Sequence, residues 1–126
     1  MDPYQRYVNV NLPHARTIVF RIGRSLSALG AFREDDGGSL ALQTAFDALE
    51  HAAEPFDEDP AQAEALAAAD RLADLGRMLV GAILATPCRS DRLGQSVRNL
   101  FECLGLPEEG ARLSLECGER PDSPLR

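Results

Sequence analysis

The amino-acid sequence predicts a mainly α-helical fold: a small bundle of about four helices, with a short strand or extended arm near each end. Three observations lead there. Apolar residues recur at helical spacing in four separate stretches, and capping or helix-breaking residues bound each stretch. The longest, from Asp59 to Ala85, carries an apolar arc of roughly 180°, wider than the ~100° stripe of a helix that touches a core on one side only.

The chain opens with an arm, residues 1–12, in which Val8, Val10 and Leu12 alternate with Tyr7, Asn9 and Asn11 as in a short strand. Pro13 then opens a helix reaching about Phe32, with Ala15, Ile18, Val19, Ile22, Leu26 and Leu29 on one stripe. Phe20 and Phe32 project roughly 140° to 160° from that stripe, and Arg16 and Arg24 stand one turn either side of Phe20. After a polar loop from Glu34 to Gly38, Ser39 is placed to cap a second helix running to about Ala53. Leu42, Ala45, Phe46, Leu49 and Ala53 face inward on it, and Asp47 and His51 are spaced to pair on its polar side.

The third helix is the one the others are expected to cover. Asp59 is placed as its cap, Pro60 follows, and Gln62 stands where a capping box needs it. Its buried arc is predicted to hold Ala65, Ala69, Leu72, Ala73, Gly76, Leu79, Val80 and Ile83, widened by Leu66, Leu75 and Leu84, with Arg77 on the solvent side. The small residues Ala65, Ala69, Ala73 and Gly76 suit the close approach of another backbone. Pro87 ends the stretch, and Thr86 or Ser90 begins a fourth helix striped by Leu93, Val97, Leu100, Phe101 and Leu104. Gly105 closes it in a left-handed cap, with Leu106 packing back on Phe101 and Pro107 blocking continuation. Ala111, Leu113, Leu115 and Cys117 then alternate with polar residues, as in a single half-buried strand that needs the N-terminal arm or a second subunit to pair with. Residues 119–126 are expected to be a disordered tail, leaving 1–118 as one domain.

Composition narrows the function classes. With 126 residues, the chain suits one modest core, and its most apolar run, Met78 to Ala85, is far short of the roughly 20 residues that span a membrane. The N-terminus lacks a secretory pattern, so a cytoplasmic location is expected. Charge is segregated. Five arginines lie in residues 1–33, eleven acidic residues and no basic one from Glu34 to Asp70, and a net positive stretch from Arg71 to Arg98; no lysine occurs. A net charge of −7 repels phosphate backbones, which argues against nucleic acid as a partner. Cys88, Cys103 and Cys117 are too widely spaced for a zinc site or disulfide framework, and the acidic turn 54–60 lacks the ligand pattern of a calcium loop.

The run Asp35, Asp36, Gly37, Gly38, Ser39, Leu40, Ala41, Leu42 is similar to the attachment site of acyl and peptidyl carrier proteins. There a serine at a helix start bears phosphopantetheine. That resemblance implies modification at Ser39, although Gly38 stands where those families place aspartate or histidine. The acidic size class also resembles secretion-effector chaperones, which are richer in strands. No paired catalytic constellation, phosphate loop, metal spacing or basic groove is present in the sequence. The expected function is therefore that of a non-enzymatic regulator without cofactor or metal, of inhibitor, antiactivator or immunity type. It binds another protein, and a homodimer is also expected. The expected contact residues are Phe20 with Arg16 and Arg24, Phe32, and Leu113 or Leu115 of the tail.

Overall fold

A computed structural model describes residues 3–32, 37–58 and 60–118. Within them the chain forms six helices: α1 (Pro3–Tyr7), α2 (Leu12–Ala28), α3 (Gly37–Ala53), α4 (Gln62–Leu84), α5 (Asp91–Cys103) and α6 (Pro107–Cys117). The fold is all-α. Five of the helices close a ring in which α2 packs on α3, α3 on α4, α4 on α6, α6 on α5, and α5 back on α2. The short α1 lies against α4.

The core fills the inside of that ring, and its composition follows from the stripes. Every residue of the predicted α4 arc, from Ala65 to Ile83, is buried, and Leu66, Leu75 and Leu84 are half-buried at its edges. On α5, Leu93, Val97, Leu100 and Phe101 are buried, with Leu104 at its C-terminal cap, as are Leu42, Phe46, Leu49 and Ala53 on α3. Each fully buried Leu, Ile or Phe contributes about 1.5 to 3 kcal/mol relative to exposure. The small residues of α4 serve a side chain: a Cβ added at Gly76 would meet the Phe101 ring of α5 at 3.1 Å. Backbones approach closely instead between α5 and α6. A Cβ at Gly94 would lie 2.6 Å from the Ser114 carbonyl oxygen, and one at Gly110 would lie 2.9 Å from the Arg98 carbonyl oxygen.

Helix ends explain the chain reversals. Asn11 Oδ1 accepts from the His14 amide at 3.1 Å to start α2, and Ser90 Oγ accepts from the Leu93 amide at 3.0 Å to start α5. Both α2 and α5 end in Schellman caps. Gly30 and Gly105 take φ of +74° and +75°, and the Ala31 and Leu106 amides return to the Leu26 and Phe101 carbonyls, each at 2.9 Å. Because α2 stops at Ala28, Phe32 lies beyond the helix and turns inward, its ring centroid 5.6 Å from that of Phe46.

Several expectations are corrected. Residues 111–117 are helical: Pro107 occupies the first turn with Glu108 and Glu109 at the positive end of the helix dipole, and α6 satisfies its own backbone. The unpaired strand offered as a reason for self-association is therefore absent. The N-terminal arm is a helical turn followed by one antiparallel bridge, Val10 to Leu104, beside which the Asn11 amide donates to the Cys103 carbonyl at 2.7 Å. Arg6 fastens this arm, donating from Nε to the Leu104 carbonyl at 3.1 Å and from Nη1 to Asp70. Helix α4 starts at Gln62 with Ala61 at the cap position and no side-chain cap bond; Asp59 lies outside the described residues. Helix α3 begins at Gly37, ahead of Ser39, whose side chain is likewise outside them, as is the tail 119–126. His51 pairs with Glu54, at 3.8 Å, in place of Asp47. Finally, Arg77 is no idle surface residue. It binds Glu109 of α6 through both Nε and Nη2, at 2.6 and 2.7 Å, and also Asp74.

Candidate functional site: the outer face of helix α2

Of the residues expected to form a contact surface, the structure groups Arg16, Phe20 and Arg24 on one helix and scatters the rest. Phe20 is 45% exposed in the middle of α2, large for an apolar side chain at that position. Arg16 lies one turn before it. Its guanidinium carbon sits 5.3 Å from the Phe20 ring centroid, and its Nε donates to the Glu54 carbonyl at 3.1 Å. The second bond bridges α2 to the end of α3 and fixes the guanidinium over the ring. A shallow depression of about 170 Å³ runs beside Phe20, lined by Arg16, Val19, Glu50, Ala53 and Glu54. An aromatic ring and a stacked arginine on a rigid helix lose little side-chain freedom when covered.

The other candidates stand elsewhere. Phe32 is half-buried against Phe46. Leu113 is buried on the inner side of α6 and offers no surface, which corrects its expected role. Leu115 is 82% exposed, but it stands on α6, which packs chiefly on α5 and α4, and it does not line the depression beside Phe20.

Arg24 leads to a feature that the sequence did not reveal. One turn beyond Phe20, it lines a groove of about 660 Å³ between α2 and α5, together with Arg21, Arg92, Ser25, Ser90 and Ser96. Ala28 and Leu29 also line it, and among the described residues no carboxylate does. The adjacency of α2 and α5 makes this groove; Arg21 and Arg92 are 71 positions apart in the chain and nothing local links them.

Two of the three thiols, those of Cys103 and Cys117, are unsuited to nucleophilic work. Desolvation on burial pushes Cys103 and Cys117 up to about 11, with the neighbouring Glu102 and Glu116 carboxylates adding to the shift, so both stay protonated at neutral pH. Among the described residues no group of three or more His, Cys, Asp or Glu side chains is arranged to hold a metal, and no helix is long and apolar enough to cross a membrane. Comparisons with protein-family models, curated proteins and solved structures found no match to this chain.

Proposed function

We propose that this protein is a non-enzymatic regulator that binds another protein and inhibits or sequesters it, using the outer face of α2. The observation that carries the reading is Phe20, held half-exposed in mid-helix beneath a fixed Arg16. Aromatic and arginine side chains dominate binding energetics at interfaces because they bury much area at low entropic cost, while the surrounding contacts mainly exclude water. The same face also suits a symmetric pair of these chains, in which case the partner and the second copy compete and binding exchanges a homodimer for a heterocomplex.

Affinity capture from the source lysate tests the reading. The wild type is expected to retain one protein at stoichiometric yield, and a Leu115→Ala variant to retain it equally. A Phe20→Ala variant with unchanged helical circular dichroism is expected to lose more than about 1 kcal/mol of affinity for the captured protein, measured by surface plasmon resonance as a shorter-lived complex. Equal affinity for wild type and a folded Phe20→Ala would refute it.

A further inference from the structure

We infer that the groove between α2 and α5 holds a carboxylate-rich segment of the partner protein, an inference that rests on the α2 docking reading and adds the chemistry of what docks there. The argument begins with how the arginines are used. In a chain with 20 acidic residues, most arginines of the described structure find a partner. Arg6, Arg77, Arg98 and Arg112 pair with carboxylates, and Arg16 and Arg89 donate to backbone carbonyls. Among the described residues four have no hydrogen bond or ion pair: Arg21, Arg24, Arg71 and Arg92. Three of these four line the same groove. Arginines scattered for solubility would not be expected to gather there.

A second observation points the same way. Ser96 is only 8% exposed, the buried polar side chain of the described residues, and its hydroxyl has no hydrogen-bond partner among them. It lines the groove. Its oxygen is not sealed from solvent, the one sealed and unpartnered side-chain polar atom among the described residues being Nη2 of Arg6, so the Ser96 hydroxyl opens on the groove and can donate to what enters it. Ser90 adds another: its Oγ accepts from the Leu93 amide, which leaves its O–H free to donate outward. Three planar guanidinium groups and three serine hydroxyls, with no carboxylate in the lining among the described residues, match an anion that has several acceptor oxygens.

A string of carboxylates fits better than a nucleic acid or a lone small anion. The net charge of −7 disfavours a polyphosphate strand approaching from a distance. A groove of about 660 Å³ is also larger than one carboxylate fills, and Arg24 of its wall stands one turn along α2 from Phe20. An acidic segment with one apolar residue could occupy both at once. Its anchor would cover Phe20 while its carboxylates met the arginines, setting register and association rate.

The test does not require the natural partner. A short fluorescein-labelled peptide of alternating Glu and Leu is titrated with the protein at low ionic strength, followed by anisotropy, beside its counterpart in which Gln replaces Glu. The expected result is saturable binding of the Glu peptide alone. That binding weakens about tenfold in Arg24→Gln/Arg92→Gln, stays unchanged in Arg98→Gln, where the arginine lost is paired with Glu102, and weakens in Ser96→Ala. Equal loss in Arg98→Gln and the groove variant would mean diffuse attraction and would overturn the inference. So would binding of both peptides alike, or of neither. Inorganic phosphate supplies the remaining arm: if it protects the protein from heat in a groove-dependent manner while the Glu peptide fails to bind, the occupant is a small phosphate and not an acidic segment. Lysate capture that depends on Phe20 but not on Arg24 and Arg92 would leave the docking reading standing and remove only this inference.

Discussion

Replacing glycine by alanine at two sites should move stability in opposite directions. Gly94 and Gly81 both lie inside helices, where alanine is favoured over glycine by about 1 kcal/mol. At Gly81 nothing lies within 4 Å of an added Cβ, so Gly81→Ala should realise most of that gain, about 0.5 to 1 kcal/mol. At Gly94 the new Cβ would stand 2.6 Å from the Ser114 carbonyl oxygen, short of ordinary contact at 3.4 Å by about 0.8 Å. That oxygen is backbone and cannot rotate away, and it also accepts the Gly118 amide at 3.0 Å, so relief requires α6 to move off α5. Overpacking of this kind costs about 1 to 3 kcal/mol, which offsets the propensity gain of ~1 kcal/mol and leaves Gly94→Ala destabilised by up to about 2 kcal/mol. The two variants should therefore differ by ~1 to 3 kcal/mol, seen in urea as midpoints displaced to opposite sides of the wild type at a common slope. Midpoints displaced in the same direction would refute the close packing of α5 on α6.

Other predictions follow from the same structure. Leu79→Ala or Ile83→Ala should destabilise by about 2 to 5 kcal/mol, because both side chains are fully buried; chemical denaturation of each variant gives the value. Arg77→Ala, which periodicity alone makes nearly neutral at under about 0.5 kcal/mol, should instead cost about 1 kcal/mol, a figure discounted for the arginine's partial exposure. Hydrogen bonding to Arg77 holds the Glu109 carboxyl below the usual glutamate range, so its contribution is complete above about pH 4.3 and fades as pH falls through the lowered value. The stability gap between wild type and Glu109→Gln should accordingly be widest near neutrality and close in acid. Light scattering at tens of micromolar should return about twice the 13.7 kDa chain mass for the wild type and the monomer mass for Phe20→Ala; a monomeric wild type would remove the homodimer reading.

The helical stripes were legible because burial in a ring of helices imposes a 3.6-residue period on each one, and α4 obeys it at all eight positions. The tail was not. Between Ala111 and Cys117 an alternating pattern and a helical one share Leu113 and Cys117, and what separates them is Gly110, buried one turn before Leu113, together with Leu115, left in solvent. The better signals were Pro107 and the two glutamates after it, which mark a helix start. Phe32 was misplaced because Gly30 ends α2 one turn sooner than the apolar pattern suggests. At the candidate site, Arg16, Phe20 and Arg24 were readable from one helix. Arg92 and Ser96 were not, since only the packing of α2 on α5 brings them beside Arg24.

The tie between the N-terminal arm and the α5–α6 turn bears on how the chain is made. Arg6 finds its acceptor, the Leu104 carbonyl, 98 residues downstream, and α2 gains its α5 neighbour only when that part of the chain exists. At translation rates of 5 to 20 residues per second, roughly 5 to 20 s separate synthesis of the arm from that of its partner. Throughout that interval the apolar stripe of α2 has only α3 to lean on. The ring closes late, by an end-to-end contact of high loop-closure cost, while the α5–α6 hairpin, joined by a short turn, forms at small entropic expense. A nascent chain halted before Asp91, with α5 not yet made, would thus present Leu12, Ile18 and Ile22 to chaperones.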